Sequence, residues 1–488
     1  MTSTMPAQSE TAAIKARLSH PVIDIDGHCM ESLHALAPYL RDEGVDPASP
    51  SFRRLLPGLY GPEQVWSELT PRERHRLRSA RPPWWGAPAA NTLDLATALN
   101  PRLMYERLPE FGIDFSVVYP SLGLVHMHLE DEHERVGACR ALNRYNADAF
   151  AGLEDRMTPV AAIPMHSPEE ALTALDHAVQ DLGYKAVLLA GYVQRPAAAL
   201  AEKDPELARY AMWLDFYGID SEHDYDPVWQ RCLDLKVAVA FHSGSIGWGA
   251  RRSTSSYMYN HLGHLAEGHH SLAKSLFLGG VTRRFPQLPF AFLEGGVAWA
   301  VALYADLVGH WEKRNVEALA HLDPKTIDRQ LLMDLWSKHA SQTKTDDGPP
   351  LPRTVRPGDD PTMLDEFARC EITAGEDIKA LFADNFFFGC EADDPLAGTA
   401  FNTKANPYGA TLKPMFGSDL SHWDVPDMRQ VLEEAWELVE HEILDEAGFR
   451  DFVFANPVRF FTRANPSFFA GTTVESSVSE LTGAEAWS

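Results

Sequence analysis

No apolar run in this 488-residue chain approaches the roughly 20 residues that a helix needs to cross a bilayer, so a helical membrane protein is not expected. The opening MTSTMPAQSETAAIKARLSH also lacks the apolar core of a secretory signal, and a cytoplasmic location is the default expectation. Cysteine is scarce. Cys29, Cys139, Cys232, Cys370 and Cys390 are odd in number and none stands in CxxC spacing, which argues against a disulfide framework or a thiolate zinc site. Basic runs are missing as well: 43 Lys and Arg face 69 Asp and Glu, and a formal charge of −26 disfavours nucleic acid and anionic membranes as partners. No internal repeat suggests a solenoid. What the chain does have is core material, with 45% apolar residues, 12 Trp and 24 Phe.

Eight short apolar runs recur with helical patterns between them: 21–26, 115–120, 157–164, 185–191, 237–244, 289–296, 385–392 and 412–419. Most are continuously apolar rather than alternating, as expected of parallel strands covered on both faces. Eight of them favour an α/β fold of the distorted (β/α)8 TIM-barrel kind with helical insertions. Helices are expected over HERVGACRALNRYNADAFAG from His133, after Ser167 and Pro168, with Glu170 completing a capping box, and over VAWAVALYADLVGHWEKR. DMRQVLEEAWELVEHEILDEAG reads as one long helix ending before Gly448.

Two connections are too long for barrel loops. Residues 29–110, with the Pro- and Trp-rich RPPWWGAPAA, and 312–384, with a helix around IDRQLLMDLWSKHA and the polar DDGPPLPRTVRPGDD, are expected to form a cap or an oligomer contact. A single barrel domain over 19–470 is expected, with mobile ends at 1–18 and 471–488. The insertions and the acidic tail offer surface for a homodimer or larger closed assembly.

Chemistry concentrates at three strand ends. In PVIDIDGH the two-residue period puts Asp24 and Asp26 on one face, with His28 two residues further on. In VAVAFHSGSIGWG, His242 follows an apolar strand; in LKPMFGSDLSHWD, Asp419 stands at the same edge. Each can be read blandly, as a turn cap or a histidine bonded to loop carbonyls. Together, two carboxylates and two imidazoles suit one divalent ion, with Zn²⁺ expected and Mn²⁺ or Fe²⁺ as alternatives. Such an ion acidifies water and polarises a carbonyl, and Asp419 is the chosen proton carrier.

These segments, with YDPVWQRCLDLKVAVAFHSG, SLFLGGVTRRFPQLPFAFLEGG, MFGSD and FANPVRFF, resemble the amidohydrolase-related family, over roughly residues 20–465. That group contains aminocarboxymuconate-semialdehyde decarboxylase, resorcylate-type decarboxylases and metal-dependent hydrolases. The resemblance implies that Asp26 and His28, then His242, then Asp419 hold the metal. It departs at Asp26, where the family usually has His or Glu, and at Glu294, where it usually has a histidine on strand six. Glu294 is a candidate base, or His261 supplies the imidazole instead. The family's binuclear members bridge two ions through a carboxylated lysine ending strand four; Lys185 begins the strand, so one ion is expected.

Arg251, Arg252, His261, His264, His269 and His270 follow His242 closely and offer carboxylate recognition, a second metal site or an ordinary polar helix face. Trp248, Phe386, Phe387, Phe388, Trp84 and Trp85 offer aromatic contacts; Trp248, Arg251 and His261 are the chosen substrate contacts. Three functions compete. Hydrolysis of a C–N or C–O bond of a small organic molecule is preferred. Nonoxidative decarboxylation of an aromatic or unsaturated acid is the first alternative, and a noncatalytic metal-binding scaffold the second.

Overall fold

A computed structural model describes residues 9–49, 63–83, 91–121, 123–208, 211–339 and 364–485. Eight parallel strands carry the fold: β1 (Ile23–Cys29), β2 (Phe115–Pro120), β3 (Met157–Ile163), β4 (Ala186–Leu189), β7 (Val239–Phe241), β8 (Phe290–Phe292), β9 (Phe386–Glu391) and β10 (Lys413–Gly417). They pair in the order β1-β2-β3-β4-β7-β8-β9-β10. Just beyond the strand ends the ring is joined by Asp419 N–H to the Asp26 carbonyl at 2.9 Å and His28 N–H to the Leu420 carbonyl at 3.1 Å. All eight expected strands are present in a (β/α)8-like barrel. Their continuous apolar character is explained by burial: every residue of β2, β4, β7 and β8 is buried, and so are Phe386, Phe387 and Phe388.

One feature of the barrel region was not expected. An antiparallel hairpin, β5 (Val193–Pro196) and β6 (Met212–Asp215), follows β4, anchored where Arg195 pairs with the buried Asp215 at 2.6 Å. A second difference concerns β1, which runs to Cys29 rather than ending at Asp26, with an irregularity between Asp24 and Gly27.

The helices follow their caps. Glu132–Ala149 starts on Asp131, which accepts from Glu134 N–H; Pro168–Asp176 starts on Ser167, which accepts from Glu170 N–H. The reciprocal bond of the expected capping box is replaced, because Glu170 turns to Arg135 at 2.7 and 2.8 Å. Ala298–Arg314 and Arg329–His339 form as expected. The long terminal helix does not: it ends at Glu440, Glu442 takes φ +57, and Asp445 caps a new helix, Glu446–Arg450, that contains Gly448. Asp445 offers its carboxylate to Gly448 N–H at 2.7 Å, a local bond that competes with helix continuation. RPPWWGAPAA beyond Pro83 and the DDGPPLPRTVRPGDD segment lie outside the described residues.

The two chain ends, expected to be mobile, carry structure where they are described. Ser9 caps a helix, Glu10–Lys15, whose Thr11 bonds Glu433 and whose Ile14 is buried. The helix Glu475–Glu485 follows Val474 and buries Val478 and Leu481, and Thr473 N–H donates to the Asp155 carbonyl. Among the described residues no helix is long and apolar enough to cross a membrane.

Asp24 ties the barrel seam. Its carboxylate accepts from Ser116 Oγ on β2 at 2.7 Å, from Ser418 N–H and Oγ beyond β10 at 2.9 and 2.8 Å, and from Asp26 N–H at 3.1 Å. These bonds account for both of its oxygens and keep it out of the cluster that Asp26 enters. Asp24→Ala is expected to lower stability by about 3 kcal/mol, since it strands buried donors on two strands. Urea denaturation checks this; an unchanged midpoint would remove Asp24 from that role.

Candidate active site

The carboxyl ends of β1, β7, β8 and β10 bring five of the residues singled out in the sequence to one place. Donor atoms of Asp26, His28, His242 and Glu294 lie within 4.8 Å of one another, and so do those of His28, Glu294, Asp419 and His422. His28 Nε2 is 3.4 Å from both Asp26 Oδ1 and Asp419 Oδ1. His242 Nε2 is 3.7 Å from Asp26 Oδ1 and 2.9 Å from Glu294 Oε2. Position explains the convergence. Asp26 and His28 share β1, His242 directly follows β7, Glu294 follows β8, and Asp419 lies two residues past β10 beside Asp26. Gly417 clears the way, because a Cβ there would stand 2.9 Å from the Asp26 Cβ.

The backbone is bent to aim two of the acids. Glu294 has φ +56 and Asp419 φ +48, a left-handed conformation uncommon for residues with a side chain. Such conformations cost free energy and persist where the surroundings impose them.

The donor set fits a cation. Asp26 Oδ1 and His28 Nε2 are buried without a hydrogen-bond partner, and His242 Nε2 and Asp419 Oδ1, also buried, stand against Glu294 Oε2 and His422 Nδ1. Buried polar groups left in that state cost several kcal/mol unless a metal ion takes them. The proton affinities agree. Burial pushes Asp26 and Asp419 well above the usual carboxylate range, and neighbouring carboxylates, Glu294 first among them, add to it. Burial holds His28 well below its ordinary value, helped by His422 and His242. For His242, burial pulls downward, but the Asp26 and Glu294 carboxylates override it and hold the ring up at about 9. The same contact lowers Glu294 against the opposing effect of its own burial. Three carboxylates around two imidazoles make a site for one divalent ion.

His422 was overlooked in the sequence. Its ring stacks on His28 at 3.8 Å between centroids, and its Nδ1 lies 2.6 Å from Asp419 Oδ1. The signal was present in SDLSHWD, three residues past Asp419. Beside it Glu391, at the end of β9, is pushed up to about 8 by burial and by Glu294, Asp424 and Asp393. Carboxyl groups therefore crowd the β8–β10 side of the cluster, and Glu391 keeps its proton at pH 7.

The remaining chosen residues lie outside this cluster. His261 contacts His264 and Trp423 at 4.7 and 5.7 Å between ring centroids. Arg251 is tied to Glu267 and to the carbonyls of Asn260 and Leu262, and Arg252 to the Gly247 carbonyl. His269 bonds the Leu293 carbonyl at 2.7 Å inside the core. Lys185 precedes β4, at the opposite end of the barrel from the cluster. Trp248 joins Tyr192 and Phe216 at the mouth. Trp84 and Trp85 lie outside the described residues.

Residues 101–326 match the amidohydrolase family model, a span from before β2 to beyond β8 that includes His242 and Glu294. Over that span, which is under half of the chain, the sequence is similar to the amidohydrolase family. No curated protein matches it. Among solved structures, an amidohydrolase from Mycobacterium avium subsp. paratuberculosis K-10 is 16% identical, with 91% of this chain and 100% of that one covered and a TM-score of 0.53. A dihydroxybenzoic acid decarboxylase from Polaromonas sp. JS666, with bound manganese, is 13% identical over 91% of this chain and 97% of that one, with a TM-score of 0.48. A 5-carboxyvanillate decarboxylase from Novosphingobium aromaticivorans DSM 12444, complexed with manganese, is 15% identical over 95% and 99%, with a TM-score of 0.47. The likeness to the first of these is one of fold. What the structure itself shows at the strand ends is a cluster of carboxylates and imidazoles that could hold a metal ion.

Proposed function

We propose that this protein is a metal-dependent enzyme of the amidohydrolase superfamily, a hydrolase of a C–N or C–O bond in a small organic molecule. Asp26, His28, His242 and Asp419 hold one divalent ion, zinc by the balance of nitrogen and oxygen donors, and Glu294 stands beside it. When bound, the ion supplies Lewis acidity that polarises a substrate carbonyl and makes water a better nucleophile. Asp419 takes a proton from the attacking water and delivers it to the leaving amine or alcohol. His422 at 2.6 Å orients the Asp419 carboxylate, and its partly open ring leads toward solvent. Glu294 Oε2 holds the second hydrogen of that water and fixes its direction of attack.

The observation that carries hydrolysis over its alternative is the charge of the mouth. The Glu294 and Asp424 carboxylates crowd this side of the site, while Arg251, the guanidinium expected to clasp a carboxylate, is occupied by Glu267. An anionic substrate meets repulsion there and a neutral amide or ester does not. Decarboxylation is the second reading, favoured by the aromatic rings of Tyr192, Phe216 and Trp248 in the segments that follow β4, β6 and β7, which suit an aryl acid. Several of the solved neighbours, including the two decarboxylases named above, are themselves decarboxylases. A noncatalytic scaffold is disfavoured by so many buried, unpartnered donors.

The test is to present the zinc- or manganese-loaded enzyme with panels of amides, esters and carboxylic acids. Amine or alcohol release and CO₂ release are followed in parallel. Ion-dependent release of amine or alcohol is expected, and CO₂ release without hydrolysis would replace this reading with the second.

A further inference from the structure

The strand ends gather more donors than one ion uses. Among the described residues they fall into two groups, each with its donor atoms within 4.8 Å of one another: Asp26, His28, His242 and Glu294, and then His28, Glu294, Asp419 and His422. Asp26 and His242 belong to the first group alone, Asp419 and His422 to the second alone. Donors on opposite sides of one ion, at about 2.0 to 2.2 Å each, stand no more than about 4.4 Å apart. Six side chains on a single ion would also fill an octahedral sphere and leave no position for water or substrate.

His422 makes the second group a site of its own. Its Nδ1 lies 2.6 Å from Asp419 Oδ1 and 3.8 Å from Glu294 Oε2, spacings that one coordination sphere can span. The ring is also placed in advance. It stacks on His28, His422 N–H donates to the Asp419 carbonyl at 3.2 Å, and Ser421 Oγ donates to the His28 carbonyl at 2.7 Å, which pins the turn to β1. Asp424 adds its charge on the same side, acting on both Asp419 and His422. With Asp26 and Glu294, four carboxyl groups converge where one divalent ion balances two charges. Exposure separates the two groups: the Asp26, His28 and His242 side chains are sealed, whereas that of His422 is 22% exposed and can be reached from solvent.

We infer that the site takes a second divalent ion, held by His422, Asp419 and Glu294 on the β8–β10 side. The inference rests on the metal-dependent reading of the cluster and is indifferent to which bond is cleaved. The first ion keeps Asp26, His28, His242 and one oxygen of Asp419. Asp419 and Glu294, with two oxygens each, can reach both ions, and the second ion replaces the proton between His422 Nδ1 and Asp419 Oδ1. Ions bridged in this way stand about 3.5 to 4 Å apart. The arrangement differs from a pair bridged by a carboxylated lysine, because Lys185 precedes β4 at the other end of the barrel. Nor does it use the histidines that follow His242: among the described residues, none of His261, His264, His269 and His270 enters a donor group. Its more open ligand makes the second ion the weaker and the more readily exchanged.

The experiment is equilibrium dialysis of the ion-stripped whole protein against Mn²⁺ from micromolar to millimolar at neutral pH. Bound manganese is counted by elemental analysis, and electron paramagnetic resonance spectra are recorded on the same samples. Two ions per chain are expected, the second at least about 10-fold weaker than the first, with exchange coupling between them in the doubly loaded protein. His422→Ala is expected to keep the first ion and to weaken the second at least about 10-fold further. A single ion per chain at millimolar Mn²⁺, a second ion without coupling, or a second ion bound as tightly by folded His422→Ala as by wild type would each overturn the inference. The count and the spectrum are read on wild type, so they decide even where His422→Ala does not fold. One bound ion would leave the metal-dependent reading standing, whereas no bound ion would remove both.

Discussion

Stripping the ion is expected to lower turnover at least about 10³-fold, reversibly on adding zinc or manganese, because Lewis-acid stabilisation supplies several kcal/mol of the barrier reduction. The same removal has a second, thermodynamic signature. Without a cation, burial and neighbouring carboxylates hold Asp26 and Asp419 well above the usual range, and Asp26 and Glu294 hold His242 at about 9 despite its burial. An ion binds these groups without their protons, so its uptake at pH 7 must release protons and its affinity must rise with pH. Stability follows in a fixed sense. A group raised in the fold lends stability below its unfolded value, about 4 for Asp and 6.5 for His, and loses it as pH rises through the folded value. His28, held low by burial, acts oppositely, but only below about 6.5. Between pH 6.5 and 8.5 the melting-temperature gap between ion-loaded and ion-free protein is therefore expected to widen. Calorimetry in buffers of different ionisation enthalpy counts the protons. No proton release, together with a gap that stays constant or narrows, would show that these residues do not hold the ion.

How far the sequence revealed this site depended on where each residue sat. Asp26, His28, His242 and Asp419 were legible because each stands at the end of an apolar run, and the carboxyl ends of barrel strands are where side chains meet. The runs themselves were legible because both faces are buried. The β5–β6 hairpin was not: its strands have four residues each, with Gln194, Arg195 and Pro196 in one and the exposed Met212 in the other, so they show neither an apolar run nor clean alternation. His422 was missed because it lies in a turn after Ser421, whose φ of +83 folds the chain back over His28, and sequence spacing does not report that fold. Arg251 was placed at the mouth by proximity to His242. What proximity could not show is that Glu267, on the helix His264–Leu278, returns to pair with it. The terminal helix was extended too far for a related reason: amphipathic spacing continues through Ile443 and Leu444, both of which donate backbone N–H to the Leu438 carbonyl, while the Asp445 cap starts a new axis.

Asp419→Asn is expected to lower kcat about 10³-fold while the protein keeps its ion, with Glu294→Gln milder at about 10²-fold. Asparagine preserves the size of the side chain and one ligand oxygen, so Asp26, His28 and His242 with that oxygen still hold a cation. What it loses is the capacity to take a proton. Asp419 is fitted for that loss to matter: its Oδ1 lies 3.4 Å from His28 Nε2 and 2.6 Å from His422 Nδ1, and the carboxylate is buried. Glu294 lies on the other side, 2.9 Å from His242 Nε2, where glutamine can still accept from water through its carbonyl oxygen and so orient it. The two substitutions thus separate carrying a proton from positioning its donor. Ion content by elemental analysis and single-turnover kinetics on the same preparations make the comparison. An Asp419→Asn protein that holds its ion and turns over nearly as fast as wild type would transfer the proton to another group, and a larger loss in Glu294→Gln than in Asp419→Asn would name Glu294 as that group. Loss of the ion in Asp419→Asn would instead show that the Asp419 charge is required for binding. Asp419→Glu, which restores the charge one methylene further out, should then recover the ion before it recovers the rate, since coordination tolerates a longer side chain better than proton transfer tolerates a displaced acceptor.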